Sequence, residues 1–145
     1  MYLALNELKE LFQDTRGAQD NLLFYTVADH SNCLQQRGIF LPLNGESGEL
    51  AEAIAHGAIA AIWDKGKSVP HYTPTHFPLF FTDDPAIAAS SLLQFYIKKL
   101  DGEVDKKMKM TKFNFLNKKL LNKNNETYDI AVMLEKLSAN AARRG

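Results

Sequence analysis

The sequence predicts an α/β fold, a layered sandwich in which helices cover a small mixed sheet. Two observations support this class. Short apolar runs rich in aromatic and β-branched residues alternate with longer segments in which apolar residues recur at helical spacing. The chain of 145 residues is also long enough to bury a core, and it has room for one domain. Because helices and strands alternate, a sheet covered by helices is the arrangement that buries both kinds of apolar face.

The predicted elements of residues 1–100 are separated by turn residues, chiefly glycine, proline, asparagine and aspartate. In chain order they are a helix over 4–13, strands over 22–27 and 39–43, a helix over 49–55, strands over 59–63 and 79–82, and a helix that begins at Pro85. A loop that contains three prolines is expected over 65–78.

Local signals predict how the middle elements begin and end. Pro42 cannot donate a hydrogen bond, so the strand over 39–43 is expected at a sheet edge, or bulged at the proline. Ser47 or the region of Glu46 is expected to cap the helix that follows. That helix should end at Gly57, because glycine accepts the left-handed conformation found after helix ends.

Two acidic residues precede the helix that begins at Pro85. Asp83 or Asp84 is expected to cap this helix, because proline fits the first turn and aspartate fits the position before it. A cap is favoured over a paired acid–base site or a magnesium site. The four histidines do not share a metal-binding spacing on one element, so no metal and no cofactor are expected. The single cysteine, Cys33, excludes an internal disulfide.

The charge of the chain is unevenly distributed. Residues 1–97 carry 5 Lys/Arg and 11 Asp/Glu, whereas residues 98–145 carry 12 Lys/Arg and 6 Asp/Glu. The chain is therefore divided into a body, residues 1–100, and a basic C-terminal extension, residues 101–145, which is expected to pack on the same domain or to be swapped with it.

The extension has two open interpretations along part of its length. Apolar residues alternate over 108–110 and 113–115, which indicates a strand, whereas 116–121 fits a helix. A final helix is predicted over 127–142. The lysines of the extension could contact nucleic acid or the phosphates of a nucleotide sugar, but a solvated face, or pairing with the acidic body, is the favoured interpretation.

The N-terminal residues MYLALNELKELF lack the basic region and the long apolar core of a secretory signal. No apolar run approaches the roughly 20 residues that cross a bilayer. A cytoplasmic protein that does not contact a membrane is therefore expected.

The window over 30–45 reads HSNCLQQRGIFLPLNG. It resembles the amino-terminal domain of the Mur ligases, which carries Asp-Ser-Arg, a spacer, and then Gly-Asp-Leu-Phe-Val-Ala-Leu, a polar residue and Gly. The two patterns align without gaps. A later Ala-Ile-x-x-Gly-Ala pattern is present over 53–58, and TDDP over 82–85 precedes a helical segment that contains Phe-Tyr over 95–96. The resemblance covers roughly residues 1–100.

The resemblance implies a site for the uridine end of a cell-wall precursor. In the family, the serine and the loop after the following strand contact the uracil and its ribose. Carried over to this chain, the ligand-binding residues are Ser31, Asn32, Asn44, Gly45, Glu46 and Ser47. The chain departs from the family pattern at His30, which replaces the aspartate, at Asn32, which replaces the arginine, and in the loop after Gly45, which is shorter.

The chain lacks the phosphate-binding loop of an ATP-dependent ligase, because no G-x-x-x-x-G-K-[ST] motif is present. Gly66-Lys67-Ser68 follows a buried strand and is interpreted as a surface turn. No catalytic residue is assigned, and the chain alone is expected to be non-catalytic. The expected function is binding of a uridine-diphosphate sugar, such as a UDP-linked muramoyl precursor, or a related metabolite. The alternative is a ligand-free interaction or scaffold protein, dimeric or bound to a protein partner through 100–145.

Overall fold

The computed structural model describes residues 2–17, 21–101 and 110–144. The elements in chain order are β1 (Leu3–Ala4), α1 (Leu5–Leu11), β2 (Thr15–Arg16), β3 (Leu23–Phe24), β4 (Thr26–Ala28), β5 (Gly38–Phe40), α2 (Leu50–Ala55), β6 (Ala58–Asp64), β7 (Leu79–Thr82), α3 (Pro85–Asp101), β8 (Lys112–Asn114), β9 (Lys119–Leu121), β10 (Thr127–Asp129) and α4 (Ile130–Arg144). A single turn of 3₁₀ helix at Gly45–Ser47 precedes α2.

Over the described residues, these elements form a mixed six-stranded sheet with four helices, which confirms the predicted α/β class. The strand order is β2-β7-β6-β5-β4-β8, with β4 to β8 parallel and β2 antiparallel at one edge. Two smaller antiparallel pairs, β1 with β3 and β9 with β10, accompany this sheet. Strands β5, β6 and β7 extend to one side of β4, and β8 returns to its other side.

Both faces of the sheet are apolar. Successive buried residues along the strands point to opposite faces and belong to two separate clusters. Val27, Ile39, Ile62 and Phe80 belong to a core cluster that includes buried residues of α1, α3 and α4. Their strand neighbours face the opposite way, where Phe40, Ala61, Trp63 and Leu79 pack with Leu50 and Ala53 of α2 and with Phe77 of the 65–78 loop. Fully burying one large apolar side chain contributes about 1.5–3 kcal/mol, so these two layers supply the main stabilisation.

The first predicted strand is divided in two. Tyr25 lies between β3, which pairs with β1, and β4, which belongs to the large sheet. For the same reason α1 begins at Leu5, since Leu3 and Ala4 form a strand against β3. Strand propensity alone does not reveal that the two halves of 22–27 pair with different strands, because both halves contain residues that favour strands.

The strand predicted over 39–43 was expected at a sheet edge, or bulged at Pro42, and this expectation is wrong. Strand β5 lies in the sheet interior, between β4 and β6, and it is not an edge strand. The ladder tolerates Pro42 because the strand ends at Phe40, before the proline. The irregularity of β5 lies instead at Gly38 and Ile39, where the register against β6 shifts.

The extension contains more strand than predicted. The helical interpretation of 116–121 is wrong, since Lys119–Leu121 is β9, and the last helix starts at Ile130 because Thr127–Asp129 is β10. Asn122 sets this hairpin: its side-chain oxygen accepts hydrogen bonds from the amides of Asn124 (2.9 Å) and Glu126 (2.8 Å). The predicted alternation over 113–115 coincides with β8, whereas residues 108 and 109 lie outside the described part.

Strand β8 pairs with β4 of the same chain, so the extension adds a strand to the sheet of the body. Across the described ranges, no helix combines the length and the apolar character needed to cross a membrane.

The cap of α3 yields a stability prediction. Asp84 is the capping residue: its Oδ1 accepts from the amide of Ala86 (3.1 Å), and its Oδ2 accepts from the amide of Lys123 (2.7 Å). We expect Asp84→Ala to lower the free energy of unfolding by about 2 kcal/mol, because a helix cap and a bond to the extension are lost together. Urea unfolding followed by circular dichroism measures the loss.

Asp83→Ala is the matched control, because the Asp83 side chain is 88% exposed and, within the described part of the chain, its ion pair is with Lys65 at 3.6 Å. We expect it to change the free energy by less than about 0.5 kcal/mol. Equal losses for the two variants would contradict the assignment of the cap.

Candidate functional site

The carboxyl ends of the parallel strands meet at one edge of the sheet, where open α/β sheets place their ligands. A cleft of about 300 Å³ lies at this edge. We call it the carboxyl-edge cleft, and its polar lining consists of Asn44, Asp64, Asp84, Asn117, Lys119, Asn122 and Lys123. The lining therefore combines segments that follow β5, β6 and β7 with residues of the extension.

Asp29, directly after β4, holds the extension at this edge. The residue is fully buried, and its two carboxylate oxygens accept from the amides of Leu116 (3.0 Å) and Asn117 (2.9 Å), from the Asn117 side chain (2.7 Å) and from His30 Nδ1 (2.9 Å). Burial by itself would raise the pKa of Asp29, but these hydrogen bonds outweigh burial and the pKa is lowered. The sequence analysis missed Asp29, although an acidic residue directly after a buried strand was the available signal.

Ser31 joins the two segments that the sequence analysis assigned to the ligand. Its amide donates to the Ser47 carbonyl (2.8 Å), and its own carbonyl accepts from His56 Nδ1 (2.8 Å). The Ser31 hydroxyl is buried and donates to the carboxylate of Glu52. The structure thus brings the predicted segments together through the Ser31 amide, and the serine hydroxyl holds the segment after β4 against α2.

The loop after β5 is built by its own polar side chains. Asn44 Oδ1 accepts from the Glu46 amide (2.8 Å), and the buried Ser47 hydroxyl accepts from the Leu43 amide (3.0 Å). Ser47 therefore belongs to the 3₁₀ turn and does not cap α2, whose N-cap residue, Glu49, makes no side-chain capping bond. This corrects the expected cap.

The six predicted ligand residues thus occupy different environments. Asn44 lines the carboxyl-edge cleft, while Ser31 and Ser47 are buried. The remaining three, Asn32, Gly45 and Glu46, are exposed at the surface.

The charges of the cleft leave one cation available. Lys123 contacts Asp64 at 3.5 Å, and Asp84 is occupied by the backbone amides that it caps. Lys119, in contrast, has no ion-pair partner among the described residues. Its ammonium group, with the side-chain amide hydrogens of Asn44, suits a polar, anionic ligand. The sequence analysis considered the lysines of the extension for phosphate contacts only as a group and missed Asn117, because Lys119 and Asn117 lie far along the chain from the predicted loop.

The cleft contains no constellation for nucleophilic or metal-assisted chemistry within the described residues. These residues hold no group of three histidine, cysteine or acidic side chains suited to a metal ion. Cys33 lies outside the cleft lining, and burial, together with the charge of Asp29, raises the pKa of its thiol. The thiol is therefore mainly protonated at neutral pH and is a weak nucleophile.

No protein-family model matches this sequence, and no curated protein matches it at a significant level.

The backbone at Gly48 yields a second prediction. Its φ is +98°, and a Cβ there would lie 1.8 Å from the Ser31 hydroxyl oxygen. We expect Gly48→Ala to lower the free energy of unfolding by roughly 1–3 kcal/mol, because the strained backbone and the overlap both act against folding. Gly45→Ala is the control, since no atom lies within 4 Å of its Cβ position, and it should stay within about 0.5 kcal/mol of the wild type. Thermal and urea unfolding measure both changes, and a neutral Gly48→Ala would contradict the described loop.

The lowered pKa of Asp29 yields a third prediction. A carboxylate with a lowered pKa in the folded state stabilises the protein above its unfolded pKa of about 3.9, and this stabilisation is lost as the pH falls through the folded value. We expect Asp29→Asn to cost about 2–3 kcal/mol at neutral pH, because one amide oxygen cannot replace two carboxylate oxygens.

The pH dependence separates this effect from a general packing defect. Below about pH 4, the difference in unfolding free energy between wild type and Asp29→Asn should shrink. Urea unfolding at neutral and acidic pH measures it, and a difference that is independent of pH would contradict the role of the Asp29 charge.

Proposed function

We propose that the chain is a non-catalytic cytoplasmic module that binds a uridine-diphosphate sugar or a related metabolite, in the manner of the amino-terminal domain of the Mur ligases. One observation carries the proposal. The two segments that resemble the uridine site of that family, 30–32 and 44–47, are joined by the bond from the Ser31 amide to the Ser47 carbonyl (2.8 Å). They meet at the carboxyl ends of the neighbouring parallel strands β4 and β5, beside the carboxyl-edge cleft.

The chemistry of the cleft supports a nucleoside diphosphate as its ligand. Uracil presents an alternating pattern of carbonyl oxygens and an N–H, which the side-chain amide hydrogens of Asn44 and nearby backbone groups can meet. The diphosphate carries negative charge, and Lys119 offers an ammonium group without a competing carboxylate partner in the described structure. A cleft of about 300 Å³ is at the small end of ligand pockets, so the sugar and any attached peptide would extend beyond it.

A ligase reaction is not part of the proposal. Phosphoryl transfer needs a backbone cradle for phosphates, a lysine and a magnesium-bound hydroxyl, and the sequence carries no G-x-x-x-x-G-K-[ST] motif. Gly66 and Lys67 belong to an exposed turn in which both amides donate to Asp64, so they do not form a phosphate loop. Binding of the precursor is the activity that we assign.

An interaction protein that engages a partner through 100–145 is the second candidate. Its specific support is the exposure of Leu116 (65%) and Leu121 (62%), two large apolar side chains of the extension. Large apolar side chains exposed on one segment are available for contact with a protein partner. This candidate predicts no response to uridine nucleotides.

A titration with UDP tests the first candidate and is our fourth prediction. We expect saturable chemical-shift changes at Asn44, Asn117 and Lys119, and a dissociation constant that rises about tenfold in Asn44→Ala and in Lys119→Ala, since each removes a charged or polar contact. Ser31→Ala is a poor probe, because the Ser31 hydroxyl is buried and bonded to Glu52.

Lys67→Ala is the matched control, because Lys67 is an exposed lysine outside the cleft and should leave the dissociation constant unchanged. A folded protein that shows no saturable response at millimolar UDP would refute the proposal and favour the interaction protein.

A further inference from the structure

A second cavity, of about 830 Å³, lies on the face of the sheet that also carries α2. We call it the basic groove and define it by Thr26, Leu34, Arg37, His56 and Lys112. Thr26 and Lys112 are the first residues of β4 and β8, and Arg37 directly precedes β5. The groove is therefore at the amino ends of these strands, the opposite edge from the carboxyl-edge cleft.

The groove exists because α2 is short and covers only part of this face. Val27 of β4 and Phe113 of β8 contribute to the core on the opposite face, so Thr26 and Lys112, which are register partners, face the side of α2. Helix α2 packs against β6 and is followed by its C-cap residue, His56. The side chains of Lys112 and Asn114 on this face are exposed, and that of Thr26 is partly exposed.

Arg37 is held as a pre-positioned cation at the groove. Its Nε donates to the Leu23 carbonyl (3.2 Å), and its guanidinium lies 5.3 Å from the centre of the Tyr25 ring. Within the described residues it has no carboxylate partner, so the two terminal amino groups of the guanidinium are available. A non-glycine residue with a φ of +45° is strained, and such strain is typical of residues placed for a function.

The other side chains of the groove are compatible with an anion. Lys112 is exposed and has no ion-pair partner in the described part of the chain. The Nδ1 of His56 donates to the Ser31 carbonyl (2.8 Å), so Nε2 of the neutral ring is an acceptor that suits a hydroxyl of the ligand. Among the described residues no acidic side chain lines the groove, whereas Leu34, which is 83% exposed, offers an apolar surface beside the cations.

We propose that the basic groove binds a small organic anion, separately from any ligand of the carboxyl-edge cleft. A carboxylate or phosphate group pairs with the guanidinium fork of Arg37 and with Lys112, because a planar fork matches two oxygens of such a group. The apolar body of the ligand lies against Leu34. Carboxylates and phosphates share this chemistry, and the test distinguishes them.

The test is our fifth prediction, a two-dimensional NMR titration of the full chain with phenyl phosphate and, separately, with benzoate. With at least one of the two probes, at about 10 mM, we expect saturable chemical-shift changes at Leu34, Arg37, His56 and Lys112. The probe that binds shows whether the groove prefers a phosphate or a carboxylate. Arg37→Ala should weaken binding about tenfold. Arg37→Lys should weaken binding less than Arg37→Ala does, because lysine keeps the positive charge, although it lacks the planar guanidinium that pairs with two oxygens.

Two further variants keep the result decisive even where Arg37→Ala disturbs its loop. Lys112→Ala, on an exposed side chain, should weaken binding several-fold, whereas Lys119→Ala in the carboxyl-edge cleft should leave it unchanged. The absence of saturable shifts at the groove with both probes would overturn the proposal. Unchanged affinity in both Arg37→Ala and Lys112→Ala would overturn it as well, and neither result bears on the binding of UDP.

Discussion

The buried carboxylate of Asp29 is the interaction on which the two ends of the fold depend. It follows the first parallel strand of the large sheet and accepts hydrogen bonds from the segment that follows the last one, at Leu116 and Asn117. A buried charge is tolerated only when hydrogen bonds replace its lost hydration, and here four donors do so. The position of the extension, and with it the lining of the carboxyl-edge cleft, follows from that requirement.

A second link, through Thr111, ties the extension to the N-terminal part of the chain. The Thr111 hydroxyl donates to the Phe24 carbonyl (2.6 Å) and accepts from the Leu3 amide (2.9 Å), while the Thr111 amide donates to the Tyr96 hydroxyl (2.8 Å). One residue thus satisfies groups of β1, β3 and α3. Burial raises the pKa of Tyr96, so its hydroxyl stays protonated at physiological pH.

The two cavities follow from what covers each part of the sheet. At the carboxyl edge, the extension closes over the ends of the strands, so a small cleft remains in which Lys123 pairs with Asp64 and Asp84 accepts from backbone amides. At the amino edge, the short helix α2 leaves Thr26 and Lys112 at least partly exposed, and no acidic side chain of the described residues lines the groove there. The uneven charge along the sequence is therefore only partly neutralised in the folded chain.

The α/β class and most element positions of the body could be predicted from the sequence, because they depend on local periodicity and turn chemistry. The strand at Leu79–Thr82 and an aspartate cap before Pro85 are examples in which neighbouring residues contain the signal, although the structure decided between Asp83 and Asp84. The segments 30–32 and 44–47 could likewise be placed at one edge of the sheet, since each follows an apolar run, whereas their role in ligand binding is implied only by the family resemblance.

The tertiary structure decided which elements pair and where the extension lies. Whether 22–27 forms one strand or two depends on β1, and whether 119–121 is strand or helix depends on β10, so neither is encoded locally. The roles of Asp29 and Arg37 also depend on partners distant in sequence, because hydrogen bonds and burial are set by the packed chain. The amino-acid sequence alone thus determined the class of fold and the candidate loops, while the long-range pairing of β4 with β8 determined the two cavities.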